Sequence, residues 1–172
     1  MGFDQESKME CEKALSLLAA GDLLNRVGLP ATCGPAALAA VWTGGETLFQ
    51  GRLSSHPTPF RSYHALEREG TVRAWFDDDD FAFLITIEAP KTKPDVKTLL
   101  DRLGPPEKKL DPFVGYHADA HQWIYANRGL TLFVREHLNE MARIAAYRPN
   151  SVVFYELYLG ATNKRRYKPR AK

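Results

Sequence analysis

The chain has 172 residues, 44% of them hydrophobic, 26% charged and 11% aromatic, which is one domain's worth of ordinary globular sequence. Such a composition excludes a disordered, collagen-like or coiled-coil chain, and the longest mostly apolar run, Ala31 to Trp42, is too short to span a bilayer. The net charge of +2 is unevenly placed: of 23 basic residues, six (Lys164, Arg165, Arg166, Lys168, Arg170 and Lys172) fall within residues 163–172, leaving 17 basic against 21 acidic residues and a body of −4. An acidic body followed by a basic segment is not the pattern of a DNA-binding domain with a basic face.

In chain order, the spacing predicts a helical segment from Glu6 to Val27. Leu17, Ala20, Leu24 and Val27 line one face, and Cys11, Ala14, Leu15 and Leu18 a neighbouring one. Gly21-Asp22 is placed to divide it, with Asp22 capping a second helix, and Gly28 and Pro30 end it. Pro35 suits the first position of a short helix running to Trp42, stopped by Gly44-Gly45. Between Glu46 and Glu69 only Leu48-Phe49 and Phe60 to Leu66 have extended character. Val72 to Phe76 and Phe81 to Glu88 read as a hairpin around Asp77-Asp78-Asp79-Asp80, with Phe81, Phe83, Ile85 and Ile87 sharing a face. Pro94 to Leu103 reads as a helix buried through Val96, Leu99, Leu100 and Leu103 and ended by Gly104.

A polar loop then leads to strands Gln122 to Ala126 and Leu130 to Arg135, joined by Asn127-Arg128-Gly129, a turn in which glycine supplies positive φ. Met141 to Tyr147 forms a further strand. Ser151 is placed to cap a short final helix through Leu159, although Val152-Val153-Phe154-Tyr155 also suits a strand. From Val72 onward the order is β-β-α-β-β-β-α. The fold class is therefore α+β, an antiparallel sheet with helices on one face and an N-terminal helical segment. Residues 1–162 form one domain, helical over 6–42 and sheet-forming over 72–160, and 163–172 form a basic tail. No internal repeat is visible.

The segment from Pro94 to Tyr147 resembles the helix-plus-meander unit of the BamE-like and beta-lactamase-inhibitor-protein-like folds. The matching residues are Val96, Leu99-Leu100 and Leu103-Gly104-Pro105-Pro106, then Gln122-Trp123-Ile124-Tyr125, Gly129 to Val134 and Ala142-Arg143-Ile144. The resemblance covers about a third of the chain and implies a non-enzymatic binder or assembly factor. A second, local resemblance joins Cys33-Gly34-Pro35-Ala36-Ala37-Leu38-Ala39 to the nucleophile segment of papain-like peptidases. It implies Cys33 as nucleophile, His121 as base and Asn127 or Asn139 as the orienting group.

The residues themselves offer four candidate sites, each beside a plainer reading. Cys33, just before a helix, would have its thiolate stabilised by the helix dipole. The plainer reading makes Cys11 and Cys33 two reduced, partly buried thiols. In extended chain His117, Asp119 and His121 would converge on a metal such as zinc, whereas solvated loop histidines are the plainer reading. Asp77, Asp78, Asp79 and Asp80 form either a solvated turn or an acidic contact for a basic partner. The basic tail could touch RNA or an acidic protein, and tails of this kind are more often solubilising ends. Trp75, Trp123, Tyr125 and Phe133 are expected to pack internally rather than stack on bases. No phosphate loop, serine nucleophile elbow or paired-carboxylate motif is present, and no cofactor is expected.

The sequence thus favours a cytoplasmic, bacterial-type protein-binding module, without a membrane partner, that neutralises one cognate basic protein in the manner of an immunity or inhibitor protein. The alternatives are a cysteine hydrolase acting through Cys33 and His121, and an RNA- or ribonucleoprotein-associated factor acting through the tail.

Overall fold

The computed structural model describes residues 2–25, 27–42, 46–52, 59–67, 70–112 and 119–160. His117 and residues 163–172 lie outside the described residues, so the metal-binding role of His117 and the tail contacts of Lys164, Arg165, Arg166, Lys168 and Arg170 lie outside them too. Among the described residues, helix α1 (Gly2–Ala19) and helix α2 (Pro35–Val41) precede strands β1 (Glu46–Arg52), β2 (Pro59–Glu67), β3 (Gly70–Phe76) and β4 (Ala82–Glu88). Helix α3 (Val96–Leu103) then leads into β5 (Lys108–Leu110), β6 (His121–Tyr125), β7 (Leu130–Arg135) and β8 (Glu140–Tyr147). The described part ends with α4, a short α-turn (Val152–Phe154) continued by a π-helical turn (Tyr155–Leu159).

All eight strands belong to one antiparallel sheet in the order β1-β2-β3-β4-β8-β7-β6-β5. That order is two four-stranded meanders, each preceded by helix, joined where the last strand of one pairs with the last strand of the other. The joint runs from Leu84 opposite Tyr147 to Glu88 opposite Arg143. The α+β class holds, and the chain carries a repeat of architecture that its residues do not show. The two meanders share a topology while differing in strand length, nine residues in β2 against three in β5.

Being central, β4 and β8 are covered on both sides, and their burial is almost continuous rather than alternating. One face carries α1, α2 and α3. There Leu15, Leu18, Leu38, Trp42, Leu99 and Leu103 pack on Val72, Ile85, Leu132 and Ile144. The opposite face carries α4, whose Tyr155 and Leu159 pack among Leu84, Ile124, Phe133, Ala145 and Tyr147. Helices therefore cover both faces instead of one, because β8 alternates Ile144 and Ala146 towards the first with Ala145 and Tyr147 towards the second. A register shift between Trp75 and Phe76 has a related effect: Phe83 joins the α4 side, while Ile85 and Ile87 face the other helices.

Several local expectations are corrected by particular contacts. Helix α1 stops at Ala19 because the chain turns at Gly21 (φ 70°) to run beside Lys93. A Cβ at Gly21 would lie 2.1 Å from the Lys91 carbonyl oxygen. Asp22 caps no second helix; its carboxylate accepts from Asn25 Nδ2 at 3.0 Å. Helix α3 begins at Val96 rather than Pro94, because Asp95 is the residue whose carboxylate accepts from the Thr98 amide, at 3.3 Å, and from its hydroxyl, at 2.6 Å. The expected polar loop before β6 contains β5, with Lys108 opposite Ile124. The turn after β6 is a 3₁₀ turn over Ala126–Arg128 closed by Gly129 at φ 67°, and a Cβ there would meet the Tyr147 carbonyl oxygen at 2.0 Å. Ser151 caps α4 as expected, accepting from the Phe154 amide at 3.1 Å.

Cys11 of α1 and Cys33, just before α2, are joined as a disulfide, and both are fully buried. They are not the two reduced thiols the sequence suggested: with their Cα atoms 5.1 Å apart, the sulfurs are within bonding reach. The bridge closes a loop with a sequence separation of 22, for which unfolded-chain entropy gives about 3 kcal/mol of stabilisation. Denaturant unfolding with and without reductant is expected to show a loss of that order on reduction. It should be matched by Cys11→Ser/Cys33→Ser in the absence of reductant. Identical midpoints in the two conditions would contradict the bridge.

Candidate functional site

The acidic β3–β4 turn is the most constrained of the candidate sites. Asp77 faces inward: its Oδ1 accepts from the amides of Asp79 (3.1 Å) and Phe81 (3.0 Å), the hydrogen-bonding habit that makes aspartate a turn residue. Its Oδ2 pairs with Arg148 Nη2 at 3.0 Å, with the Asp77 side chain only 17% exposed. From the other side the Cys33 carbonyl accepts from the Ala82 amide at 2.7 Å, setting the disulfide-tied segment against the base of the turn. Asp77 is therefore a brace for the turn and not a free contact, while Asp78 and Asp79 stand exposed at its tip. Asp80 is also exposed, at φ 63°. The backbone of the turn is thus fixed on three sides, with Asp78 and Asp79 at a solvated surface.

Cys33 has no thiolate in this structure, since its sulfur is bonded to Cys11. His121, at the start of β6, has Nε2 3.8 Å from Asp111 Oδ1. Of the two proposed orienting groups, the Asn139 side chain is engaged elsewhere. Its Oδ1 accepts from the Lys97 backbone amide (2.9 Å), while the Asn127 backbone N–H donates to Glu107 Oε2 (2.8 Å). The cysteine-histidine arrangement is thus not assembled among these residues. Asp119 pairs with Arg135 Nε at 3.0 Å and lies 3.6 Å from His137 Nε2. Among the described residues no three His, Cys, Asp or Glu side chains gather at a point that could hold a metal ion.

An open hollow of about 320 Å³ lies between α3 and the β6–β7 end of the sheet, lined by Val96, Lys97, Leu100, Asp101, Trp123, Glu136 and Asn139. Trp123 was expected to pack in the core or between strands, and it packs against the core from between Lys109 and Leu132. It is half-buried: its Nε1 donates to Glu136 Oε1 at 3.1 Å, and Lys109 Nζ sits 4.8 Å from the centre of its ring. Lys109 also reaches Glu136 Oε1 at 2.6 Å, and this hydrogen bond leads the effects that hold the Glu136 carboxyl below its ordinary range. Lys109, Trp123 and Glu136 thus satisfy one another along one wall of the hollow. Sequence spacing could not have found it, because Lys109, Trp123 and Glu136 come from three separate strands or turns.

Elsewhere on the sheet, Trp75, Tyr125 and Phe133 are buried as expected. Tyr125 donates to the Gly104 carbonyl at 2.8 Å, and burial raises its phenol to about 12. Arg143, only 3% exposed, pairs with Glu88 and places its guanidinium 5.6 Å from the centre of the Phe133 ring.

Comparison with protein-family models, with curated proteins and with solved structures finds no match to this chain. No helix among the described residues is long and apolar enough to cross a membrane.

A carboxylate whose folded pKa is lowered contributes stability above its unfolded pKa and loses it as pH falls through the folded value. Lys109→Met is expected to move the Glu136 carboxyl midpoint upwards towards the ordinary glutamate range, followed by carbon-13 NMR titration. It should also flatten the acid limb of the stability curve. An unmoved midpoint would show that Lys109 does not set it.

Proposed function

We propose that this protein is a non-enzymatic binding module that neutralises or chaperones one cognate basic protein, in the manner of an immunity or inhibitor protein. The observation that supports this reading is the braced acidic turn. Asp77, Arg148 and the Cys33 carbonyl hold it in place, so Asp78 and Asp79 are offered to a partner at little ordering cost. Adjacent carboxylates on a fixed turn suit lysine and arginine side chains. Such a tip speeds encounter and disfavours acidic competitors. The acidic balance of residues 1–162, 17 basic against 21 acidic, acts in the same direction at long range.

Immobilised wild-type protein is expected to retain a basic protein from extracts of the native host and release it with rising salt. Asp78→Lys/Asp79→Lys should lose that retention, whereas Glu10→Lys, a charge change on the exposed side of α1, should keep it. Added in equimolar amount, the purified protein should suppress the activity of what it captured. Equal capture by wild type and the double variant, or capture without any effect on the captured protein, would contradict the proposal.

A further inference from the structure

Helix α4 is apolar on both sides. Tyr155 and Leu159 point into the sheet, and Val153, Phe154 and Leu157 point outward, 65%, 40% and 59% exposed. Phe154 also touches Tyr158, with ring centres 4.8 Å apart. Single exposed apolar side chains are ordinary, but three on one turn of a helix clamped to the core form a contiguous ridge. Its underside is fixed: Ser151 caps the first turn, the Tyr155 hydroxyl donates to Gln122 Oε1 at 3.2 Å, and the Tyr155 ring stacks on Tyr147 at 5.0 Å. The ridge is therefore presented on a rigid mount.

The ridge and the acidic turn are linked through the core: Trp75 and Phe83, on the strands that flank the turn, share one buried cluster with Tyr155 and Leu159 of α4. Arg148, which holds Asp77, is five residues ahead of Val153, so their Cα atoms are separated by at most about 18 Å of extended chain. A specific interface of the usual size covers about 800 Å² per partner. Its anatomy would be an aromatic and aliphatic centre with charge at the rim.

Resting on the function proposed above, we infer that the outer face of α4 is the apolar centre of the docking surface. The partner presents a hydrophobic side chain to Phe154 and Leu157 and flanking lysine or arginine residues to Asp78 and Asp79. Glu156 is already paired with Lys108, at 2.9 Å, and closes the far edge of the ridge.

The test places a photo-reactive side chain on the ridge of the full-length protein, Phe154→p-benzoylphenylalanine, and irradiates it in the native host. The same group at the exposed Met9 of α1 serves as control. The expected result is one discrete adduct from position 154, with a basic protein, and none from position 9. The purified pair should then bind at least about tenfold more weakly when the chain carries Phe154→Ser/Leu157→Ser, as for the loss of a central contact. Asp78→Lys/Asp79→Lys should weaken the same pair, with both variants retaining the wild-type melting curve. Adducts only with lipid or with a second copy of this chain, or no adduct, would overturn the inference. A pair sensitive to the aspartate variant but indifferent to Phe154→Ser/Leu157→Ser would overturn it while leaving the proposed function standing. A pair indifferent to both would remove both.

Discussion

The pairing of β4 with β8 is the contact on which the remaining architecture depends. Each meander alone would leave its last strand as an open edge, with a row of unpaired amides and carbonyls. Joining the two edges, Leu84 opposite Tyr147 and Ile87 opposite Ile144, turns both into interior strands. That conversion is why nearly every side chain in them is buried and most are apolar, and why the sheet needs cover on both faces. Helices α1, α2 and α3 supply it on one side, and α4 on the other.

The same constraint shapes the candidate surface. Helix α4 must bury Tyr155 and Leu159 against β8, which fixes which of its residues look outward. The chain reaches α4 by way of Arg148, directly after β8, and Arg148 holds Asp77 in the β3–β4 turn. The acidic turn and the chain entering α4 are therefore connected through Arg148, because β8 lies beside β4 and the β3–β4 turn opens directly into β4. The disulfide adds to this, since the Cys33 carbonyl that meets Ala82 belongs to the segment tied to α1.

What the sequence revealed depended on whether the governing chemistry was local. Pro35 at the start of α2, Gly104 after α3, Gly129 in the β6–β7 turn and Ser151 before α4 each act within a few residues, and each reads correctly. Strand β5 was hidden because Lys108-Lys109-Leu110 is short and basic, the composition by which edge strands avoid pairing with other chains. The end of α1 at Ala19 depends on Gly21 lying against Lys91, some seventy residues away, which no helical period encodes. The placement of α4 on the opposite face was also beyond periodicity, because both of its sides are apolar. At the site, four identical aspartates look equivalent in sequence. Only the turn geometry singles out Asp77 as the internal hydrogen-bond acceptor and leaves Asp78 and Asp79 outside. The disulfide was equally illegible, since two cysteines with a separation of 22 carry no pairing signal until α1 and the α2 entry are packed together.

The central claim, one continuous sheet closed through β4 and β8, is tested most directly by native-state hydrogen exchange read residue by residue. The ladder amides of Leu84 to Glu88 and Arg143 to Tyr147 should be among the slowest to exchange. They should open with a single free energy equal to that of global unfolding, together with the protected amides of β3 and β7. If β3–β4 opens at a lower free energy while β7–β8 stays protected, or the reverse, the meanders unfold independently and the claim fails.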